Sequence, residues 1–355
     1  MLLKNLQLIN FRNYSKFDLD FTGQPTIFVG PNGAGKSNIL EAILLLSTTK
    51  SARVEQENEF IKDEAVFTSI SGKVTENGDQ NELLITMVKD VDFQKRLVVN
   101  GVGKRVMDFI GVLPTVIFWP SDINMVTGSP ALRRWHLDLS LAQIDGNYKR
   151  SLTMYEQVVT ARNKVLKRVR EGQGRLDELT YWTDELIKDG AMIAKKRQEF
   201  FDFVNKQSLP DGKIKNPLGN FKFNYLPSEL SIDRIASYNG REIAAAVTLI
   251  GPHRDDFALF LGKRNMAKFG SRGEQRMATL AFKLAILEYM AKILGKRPVL
   301  LLDDVFSELD ARHRAVVASI ANLQQTIIAT VELENIPQEF LDSSRILKVE
   351  QGKIS

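Results

Sequence analysis

Short runs rich in apolar residues, some alternating with polar residues and others continuous, recur through the first third of the chain and predict β-strands. The predicted strands are residues 2–9, 17–21, 26–29, 83–88, 96–99 and 114–119. Asn100-Gly101 follows the fifth of these strands and provides the residues that a tight turn favours. The N-terminal third is therefore expected to be built on β-sheet.

From about residue 121 the apolar residues recur every three or four positions, which predicts helices. Two such stripes, at residues 152–169 and 179–204, flank a glycine-bearing breaker at residues 171–174. Two helices joined by a short turn are expected to pack antiparallel, each about 36–45 Å long. The pair would form a short helical arm, with Trp182 in its core rather than at its surface.

The last third returns to mixed structure after a loop rich in proline, glycine and lysine, predicted at residues 210–220. The elements predicted beyond this loop are strand 221–225, helix 271–294, strand 299–302, helix 312–322 and strand 326–330. Alternating helices and strands favour a sheet that contains parallel strands and is covered by helices. The uniformly apolar strand at residues 299–302 fits the buried centre of such a sheet.

Residues 30–37 read Gly-Pro-Asn-Gly-Ala-Gly-Lys-Ser and fit the phosphate-loop pattern between a predicted strand and a predicted helix. Glycines there let backbone N–H groups face phosphate oxygens, and the helix start adds a positive dipole end. Lys36 is expected against the β- and γ-phosphates of ATP, and Ser37 on Mg²⁺. The predicted nucleotide contacts are Gly30, Pro31, Asn32, Gly33, Ala34, Gly35, Lys36 and Ser37.

Two acidic residues follow the apolar strand near the other end of the chain. Asp303 is placed to complete the Mg²⁺ shell, and Asp304 to polarise the water that attacks the γ-phosphate. The simpler alternative is an aspartate pair that caps the loop after a core strand. A phosphate loop and an acidic strand together predict an ATPase.

Ser271-Arg272-Gly273-Glu274 has the pattern of a capping box, with Glu274 reaching back to the start of the following helix. Ser-x-Gly at a helix start, shortly before the acidic strand, is also where ATP-binding-cassette (ABC) proteins carry their signature motif. That motif binds the γ-phosphate held by another subunit, and the capping role is compatible with it. Ser271 and Gly273 are therefore expected to bind nucleotide in trans, with Ser271, Lys36 and Asp304 as the catalytic set. An ATP-dependent homodimer follows.

Six segments together resemble the RecF family of recombination mediators over essentially the whole chain. They are residues 6–14 (LQLINFRNY), 30–43 (GPNGAGKSNILEAI), 119–138, 251–257 (GPHRDDF), 269–276 (FGSRGEQR) and 300–310 (LLLDDVFSELD). The resemblance implies an α/β fold, with an ABC-type ATPase head of mixed sheet and flanking helices. The head would comprise residues 1–120 and 244–355, and residues 121–243 would form a mainly helical inserted lobe carrying the arm.

The same resemblance implies a DNA-repair role. ATP would close a homodimer on double-stranded DNA at gap edges, slow DNA-stimulated hydrolysis would release it, and RecO and RecR would assist in loading RecA. Arg12 and Asn13 would border the nucleotide. This chain departs from the family pattern at Ala52, where an aromatic is usual, and at Glu274, where glutamine is usual. A lid glutamine and a histidine switch are not assigned.

Composition adds a partner class and a compartment. The 355 residues contain no cysteine, which excludes disulfides and thiolate metal sites and fits a reducing, cytoplasmic compartment. The resemblance implies a nucleoid-associated protein within it. The formal charge of +5 fits a polyanion partner, and no apolar run is long enough to cross a membrane. The DNA-binding candidates are Arg162, Lys164, Lys167, Arg168 and Arg170. An ordinary solvated helix face is the alternative for this run.

Two other functions use the same nucleotide motifs. The motor subunit of a transporter would need a surface for membrane helices, and an Smc-like chromosome-organising ATPase would need a far longer coiled coil. The insert and the GPHRDDF segment favour the RecF-type function over both.

Overall fold

The computed structural model describes residues 1–76, 78–90, 92–206 and 220–354. Apart from Asn220, the loop predicted at residues 210–220 lies outside this part of the chain. The chain forms two compact units, Met1–Asp122 with Lys283–Ser355, and Ile123–Phe282. Among the described residues, no helix has both the length and the apolar character of a membrane span.

The secondary structure follows the predicted alternation of strand-rich, helical and mixed regions. The strands are β1 (Leu2–Phe11), β2 (Tyr14–Asp20), β3 (Thr26–Val29), β4 (Phe67–Glu76), β5 (Asp79–Lys89), β6 (Phe93–Val99), β7 (Val102–Gly103), β8 (Thr115–Phe118), β9 (Phe221–Leu226), β10 (Asp256–Leu261), β11 (Arg264–Asn265), β12 (Val299–Asp303), β13 (Thr326–Thr330), β14 (Arg345–Glu350) and β15 (Lys353–Ile354). The helices are α1 (Lys36–Thr48), α2 (Val106–Phe109), α3 (Asn124–Thr127), α4 (Pro130–Leu141), α5 (Gly146–Arg170), α6 (Glu178–Lys206), α7 (Ile232–Ala245), α8 (Met266–Phe269), α9 (Arg272–Leu294), α10 (Ala311–Ala321) and α11 (Gln338–Asp342).

The first unit contains two sheets with helix α1 between them. One sheet has the order β2-β1-β4-β5-β6-β7 and is antiparallel. The other has the order β15-β14-β3-β13-β12-β8, and its five strands from β14 to β8 are parallel. Eleven of the thirteen residues of α1 are buried, because the helix packs against strands of both sheets. A helix buried on nearly all sides needs packing partners on both faces, and the two sheets provide them.

The second unit contains the predicted helical arm and a small sheet. Helices α5 and α6 pack along each other, and Val165, Leu166 and Leu179 form a buried cluster with Trp182 at its edge. The sheet has the order β11-β10-β9 and is antiparallel.

The compact units differ from the predicted head and insert at one boundary. Residues 244–282, which were predicted in the head, cluster with the second unit. The reason is the pairing of β10 with β9, in which Phe257 lies opposite Tyr225. Through this sheet, the end of the GPHRDDF segment pairs with β9, the strand that follows α6 along the chain. The division into an ATPase head and an inserted lobe stays a functional prediction.

Candidate nucleotide site

The phosphate loop lies between β3 and α1 and is fixed by the turn that follows β1. Gly35 has φ 112°, a conformation that favours glycine, and a Cβ there would lie 2.5 Å from Asn13 Nδ2. Asn13 Nδ2 donates to Ala34 O at 3.1 Å, and Gly352 N donates to the same oxygen at 3.0 Å. The loop is therefore held from two sides by segments near both ends of the chain. Asn13 therefore lies beside the loop, and its predicted place at the border of the nucleotide stays a prediction.

Lys36 crosses the phosphate loop. Its Nζ donates to Gly30 O at 2.7 Å and to Pro31 O at 2.8 Å. Burial lowers the pKa of Lys36, and the charges of Asp303 and Asp304 partly oppose that change. The ammonium is thus bound by loop carbonyls at a place where a triphosphate would offer stronger, charged acceptors.

Ser37 and Asp303 meet although they are 266 positions apart. Ser37 Oγ donates to Asp303 Oδ1 at 2.8 Å, because β3 and β12 are separated by a single strand and their carboxyl ends share one edge of the sheet. Burial raises the pKa of Asp303 to about 6, against the effects of the Ser37 hydrogen bond and the Arg53 charge. A hydroxyl and a carboxylate oxygen are the kind of ligands that Mg²⁺ prefers, so this pair fits the metal.

Asp304 has an unusual backbone conformation. Its φ is 50°, in the left-handed region, and its N–H donates to Ala329 O at 2.8 Å. Thr330 Oγ1 donates to Asp304 Oδ1 at 3.4 Å. A non-glycine residue held in this region costs about 1–3 kcal/mol and is found most often at functional sites.

Glu41 is a site residue that the sequence reasoning missed. It is fully buried in α1 and accepts hydrogen bonds from Arg12 at 2.9 and 3.1 Å and from Ser51 Oγ at 2.7 Å. Arg53 Nη1 lies 3.3 Å from the same carboxylate. The available signal was a single acidic residue within the otherwise apolar stretch at residues 39–46. The predicted nucleotide neighbour Arg12 is thereby fixed by a bidentate ion pair.

The departure at Ala52 leaves this network intact. Ala52 is exposed, and its two neighbours, Ser51 and Arg53, still converge on Glu41. The Arg53 guanidinium also lies over the Trp119 ring, 5.0 Å from its centroid. The segment is therefore anchored by the residues on either side of Ala52.

The predicted capping box at the start of α9 is formed. Ser271 Oγ accepts from Glu274 N at 3.3 Å, and Glu274 Oε2 accepts from Ser271 N at 2.9 Å. Ser271 and Gly273 are both exposed. They belong to the second unit, and the phosphate loop belongs to the first.

The five DNA-binding candidates fall into two groups. Arg162 is fully buried, with Nη2 2.6 Å from Glu242 Oε2 and Nη1 3.0 Å from Thr248 Oγ1. It cannot reach DNA from this position and therefore does not belong to the exposed basic surface of α5. Its place on the apolar stripe of α5 was the signal for burial. The other four, Lys164, Lys167, Arg168 and Arg170, are exposed, and Arg168 pairs with Glu178.

The GPHRDDF segment contributes to the interior of the second unit. The ring nitrogens of His253 lie 2.8 Å from Tyr155 Oη and 3.0 Å from Thr248 O, and burial lowers the pKa of His253. Asp255 binds the buried Arg197 at 2.8 Å. His253 is therefore a half-buried, hydrogen-bonded residue that helps to hold the second unit together.

The fold and the site together define a phosphate-loop protein. Its acidic strand, β12, lies in the same parallel sheet as β3 and is separated from β3 by one strand. The model of the RecF/RecN/SMC N-terminal domain family matches residues 2–355. Proteins called DNA replication and repair protein RecF, from Bacillus cereus strain G9842 and Herpetosiphon aurantiacus, are 34% and 35% identical to it. The alignments cover 100% of this chain and 98% and 99% of those proteins. The chain belongs to the RecF/RecN/SMC N-terminal domain family and, within it, to the RecF proteins.

Solved structures give the same result. The recombination mediator protein RecF-ATPrS of the RecFOR pathway has a TM-score of 0.87 and 29% identity, over 100% of this chain and 97% of that chain. The RecF-ATP structure has the same TM-score and 27% identity. An Smc head domain from Pyrococcus furiosus, at 18% identity and a TM-score of 0.54, shares the fold alone. The predicted fold class and the predicted role as a RecF-type protein of DNA replication and repair are confirmed at the level of the family.

Proposed function

We propose that the protein binds ATP with Mg²⁺ at the phosphate loop and hydrolyses it. The observation that carries this proposal is the 2.8 Å hydrogen bond between Ser37 Oγ and Asp303 Oδ1, which brings the two motifs into one pocket. Ser37 and Asp303 would hold Mg²⁺, which would neutralise phosphate charge when bound. The RecF structures named for ATP and ATPrS support this class of nucleotide.

The remaining residues of the pocket have separate tasks in this proposal. Lys36 would exchange its carbonyl acceptors for phosphate oxygens, and the loop N–H groups would bind the same phosphates. Arg12 and Asn13 would border the nucleotide. Asp304 would orient and polarise the attacking water.

The site is completed by a second chain. Ser271 and Gly273 would bind the γ-phosphate of a nucleotide held by the partner, so two chains would enclose two ATP molecules. ATP binds the closed pair better than the open one and therefore shifts the equilibrium toward the dimer. Hydrolysis would return the chains to the open state.

The closed dimer would bind double-stranded DNA at gap edges, with slow, DNA-stimulated hydrolysis, and act with RecO and RecR in loading RecA. The net charge of +5 and the exposed basic residues of α5 support a DNA partner. The full-length similarity to RecF proteins favours this role over a transporter motor or an Smc-like ATPase.

Equilibrium titration with a fluorescent ATP analogue tests the nucleotide site. Lys36→Met should weaken binding at least about tenfold, because a charge-assisted hydrogen bond contributes about 1.5–3 kcal/mol. Lys50→Met, at an exposed lysine just beyond α1, is the matched control and should bind like the unsubstituted protein. Equal affinity of both variants would contradict an ATP site at this loop.

A further inference from the structure

Glu274, three residues after Ser271 at the start of α9, is bound by the side chain of Arg264. Arg264 Nη2 donates to Glu274 Oε1 at 2.5 Å, and Arg264 Nη1 donates to Oε2 at 3.4 Å. Oε2 also accepts from Ser271 N at 2.9 Å. Both carboxylate oxygens therefore have donors, and the side chain is fixed in the capping position.

The hairpin that presents Arg264 is itself well defined. Leu261 pairs with Arg264 across the β10–β11 turn, and Gly262 takes the left-handed conformation with φ 60°. Gln275 Nε2 donates to Met266 O at 3.0 Å, which ties the segment after the hairpin to the first turn of α9. The backbone thus delivers the guanidinium to Glu274 from a neighbouring element.

The carboxylate poses a problem for the proposed site. A hydrogen bond from Arg264 lowers the pKa of Glu274, so the group is ionised at neutral pH. An ionised carboxylate three residues from Ser271 would face the negative charge of a γ-phosphate when two chains close. In an interface that excludes water, an uncompensated repulsion of this kind opposes association strongly.

We propose that Arg264 is a positioning residue for dimer closure. It neutralises Glu274 and holds it as the cap of Ser271, so that the start of α9 can approach the triphosphate bound by the second chain. This inference rests on the proposed function, and it assigns to the β10–β11 hairpin a part in nucleotide-dependent pairing.

Folding stability alone does not account for the pair. The side chains of Arg264 and Glu274 are 52% and 30% exposed, and exposed ion pairs contribute little to the free energy of unfolding. Removal of Arg264 should therefore leave the unfolding temperature nearly unchanged. Its effect should emerge when the dimer forms.

A double-mutant cycle tests this assignment by sedimentation equilibrium with Mg²⁺ and ATP. Arg264→Gln should weaken ATP-dependent dimerisation roughly tenfold, because the partner charge is left unpaired in the interface. Glu274→Gln, which removes the charge and keeps the shape, should dimerise like the unsubstituted protein. The double variant should match Glu274→Gln, because without the carboxylate the arginine has nothing to neutralise. Lys263→Gln removes an adjacent exposed charge and should have no effect.

Rescue by Glu274→Gln is the readout that a merely structural role of Arg264 would not give, because the rescue depends on removing the charge of the carboxylate. The inference is overturned if Arg264→Gln dimerises normally, or if its defect persists in the double variant. If the unsubstituted protein binds ATP but stays monomeric, the in-trans part of the proposed function fails, and this inference fails with it.

Discussion

The largely buried carboxylate of Asp303 is proposed to bind Mg²⁺, but its burial lowers the folding stability of the metal-free protein. Its carboxylate is largely removed from water, and burial raises its pKa to about 6, well above the ordinary 3.8. The Ser37 hydrogen bond offsets only part of that cost. A cation bound beside Asp303 would remove the rest, so the cost exists only while the site holds no metal.

Asp303→Asn should therefore stabilise the nucleotide-free protein while removing Mg²⁺·ATP binding. Because the folded-state pKa is raised, the folded protein keeps this proton more tightly than the unfolded chain does. Stability consequently falls as pH rises from about 4 to about 6 and stays lower above that, by about 3 kcal/mol. Thermal unfolding at pH 7.5 should show a higher midpoint for the variant, with the difference shrinking toward pH 4.5.

Asp63→Asn, at an exposed aspartate, is the control for the charge change and should leave the midpoint unaltered. A lower midpoint for Asp303→Asn at pH 7.5 would contradict the assigned burial cost. Retained stabilisation by Mg²⁺·ATP would contradict the metal role.

Asp304→Asn should separate binding from hydrolysis. The amide cannot accept a proton from water, so turnover should fall about 100-fold or more, while ATP affinity stays near normal. The closed dimer should then persist, and its residence on duplex DNA should lengthen. Stopped-flow release of labelled DNA measures this, and faster release from the variant would exclude Asp304 as the group that activates water.

The residues of the pocket differ in how far sequence could predict them. Lys36 and Asp303 belong to local motifs, and the residue spacing within each motif predicts where these side chains lie in the site. Glu41 does not, because its partners come from distant segments and only the folded structure brings them together. Arg162 shows the opposite error. It was predicted at the surface because it belongs to a basic run, but in the structure it is buried and pairs with Glu242.

At the scale of elements, helix α5 combines a packed face with a basic end. Its last turns expose Lys164, Lys167 and Arg170, while Val165 and Leu166 pack toward α6. Arg168 is partly neutralised by Glu178. Arg170 is 3.9 Å from Glu171, a much looser contact, so the proposed DNA surface rests on Lys164, Lys167 and Arg170.

Lys164→Glu/Lys167→Glu/Arg170→Glu should weaken duplex binding and flatten its salt dependence. Each phosphate contact contributes about 0.9 to the log–log salt slope, so loss of all three should reduce the slope by about 2.7. Fluorescence anisotropy at several salt concentrations measures it. Lys16→Glu/Lys73→Glu/Lys348→Glu changes the net charge equally at exposed positions elsewhere. Equal slopes for the two triple variants would mean that the basic residues of α5 form an ordinary solvated helix face and do not bind DNA.

The start of α9 is the second element with a testable role. Ser271→Arg places a large side chain at an exposed position, so the monomer should fold and bind ATP normally. Pairing should be blocked, because the added bulk occupies the approach to the partner's nucleotide. ATP titration and sedimentation on the same sample distinguish these effects. Loss of ATP binding in the monomer would contradict the assignment in trans.

Elements with a long regular period could be predicted best. Helices α5 and α6 contain the predicted apolar stripes at residues 152–169 and 179–204. The short strands β12 and β13 could be predicted for a different reason, because each is a nearly continuous apolar run. Strand β4 was not predicted, because its polar outward residues and Gly72 weaken the pattern. Its position is set instead by pairing with β1 and β5. Long-range pairing of this kind leaves little trace in local sequence.

At the scale of the molecule, the residues proposed to bind nucleotide are divided between two units of one chain. Lys36, Ser37 and Asp303 lie in the first unit, and Ser271 lies in the second. The proposed mechanism joins them through a second copy of the chain, so that ATP acts as the link between two protomers. The sequence predicts this requirement because a single chain carries one phosphate loop and one signature-like helix start, and the signature motif of ABC proteins binds a nucleotide held by another subunit.

Sedimentation equilibrium of the full chain with Mg²⁺, with and without ATP, tests this sharing most directly. The protein should have a mass near 40.1 kDa without nucleotide and twice that mass with saturating ATP. Lys36→Met and Ser271→Arg should each stay at the lower mass. A mass that remains at 40.1 kDa while the unsubstituted protein is saturated with ATP would contradict a nucleotide shared between two chains.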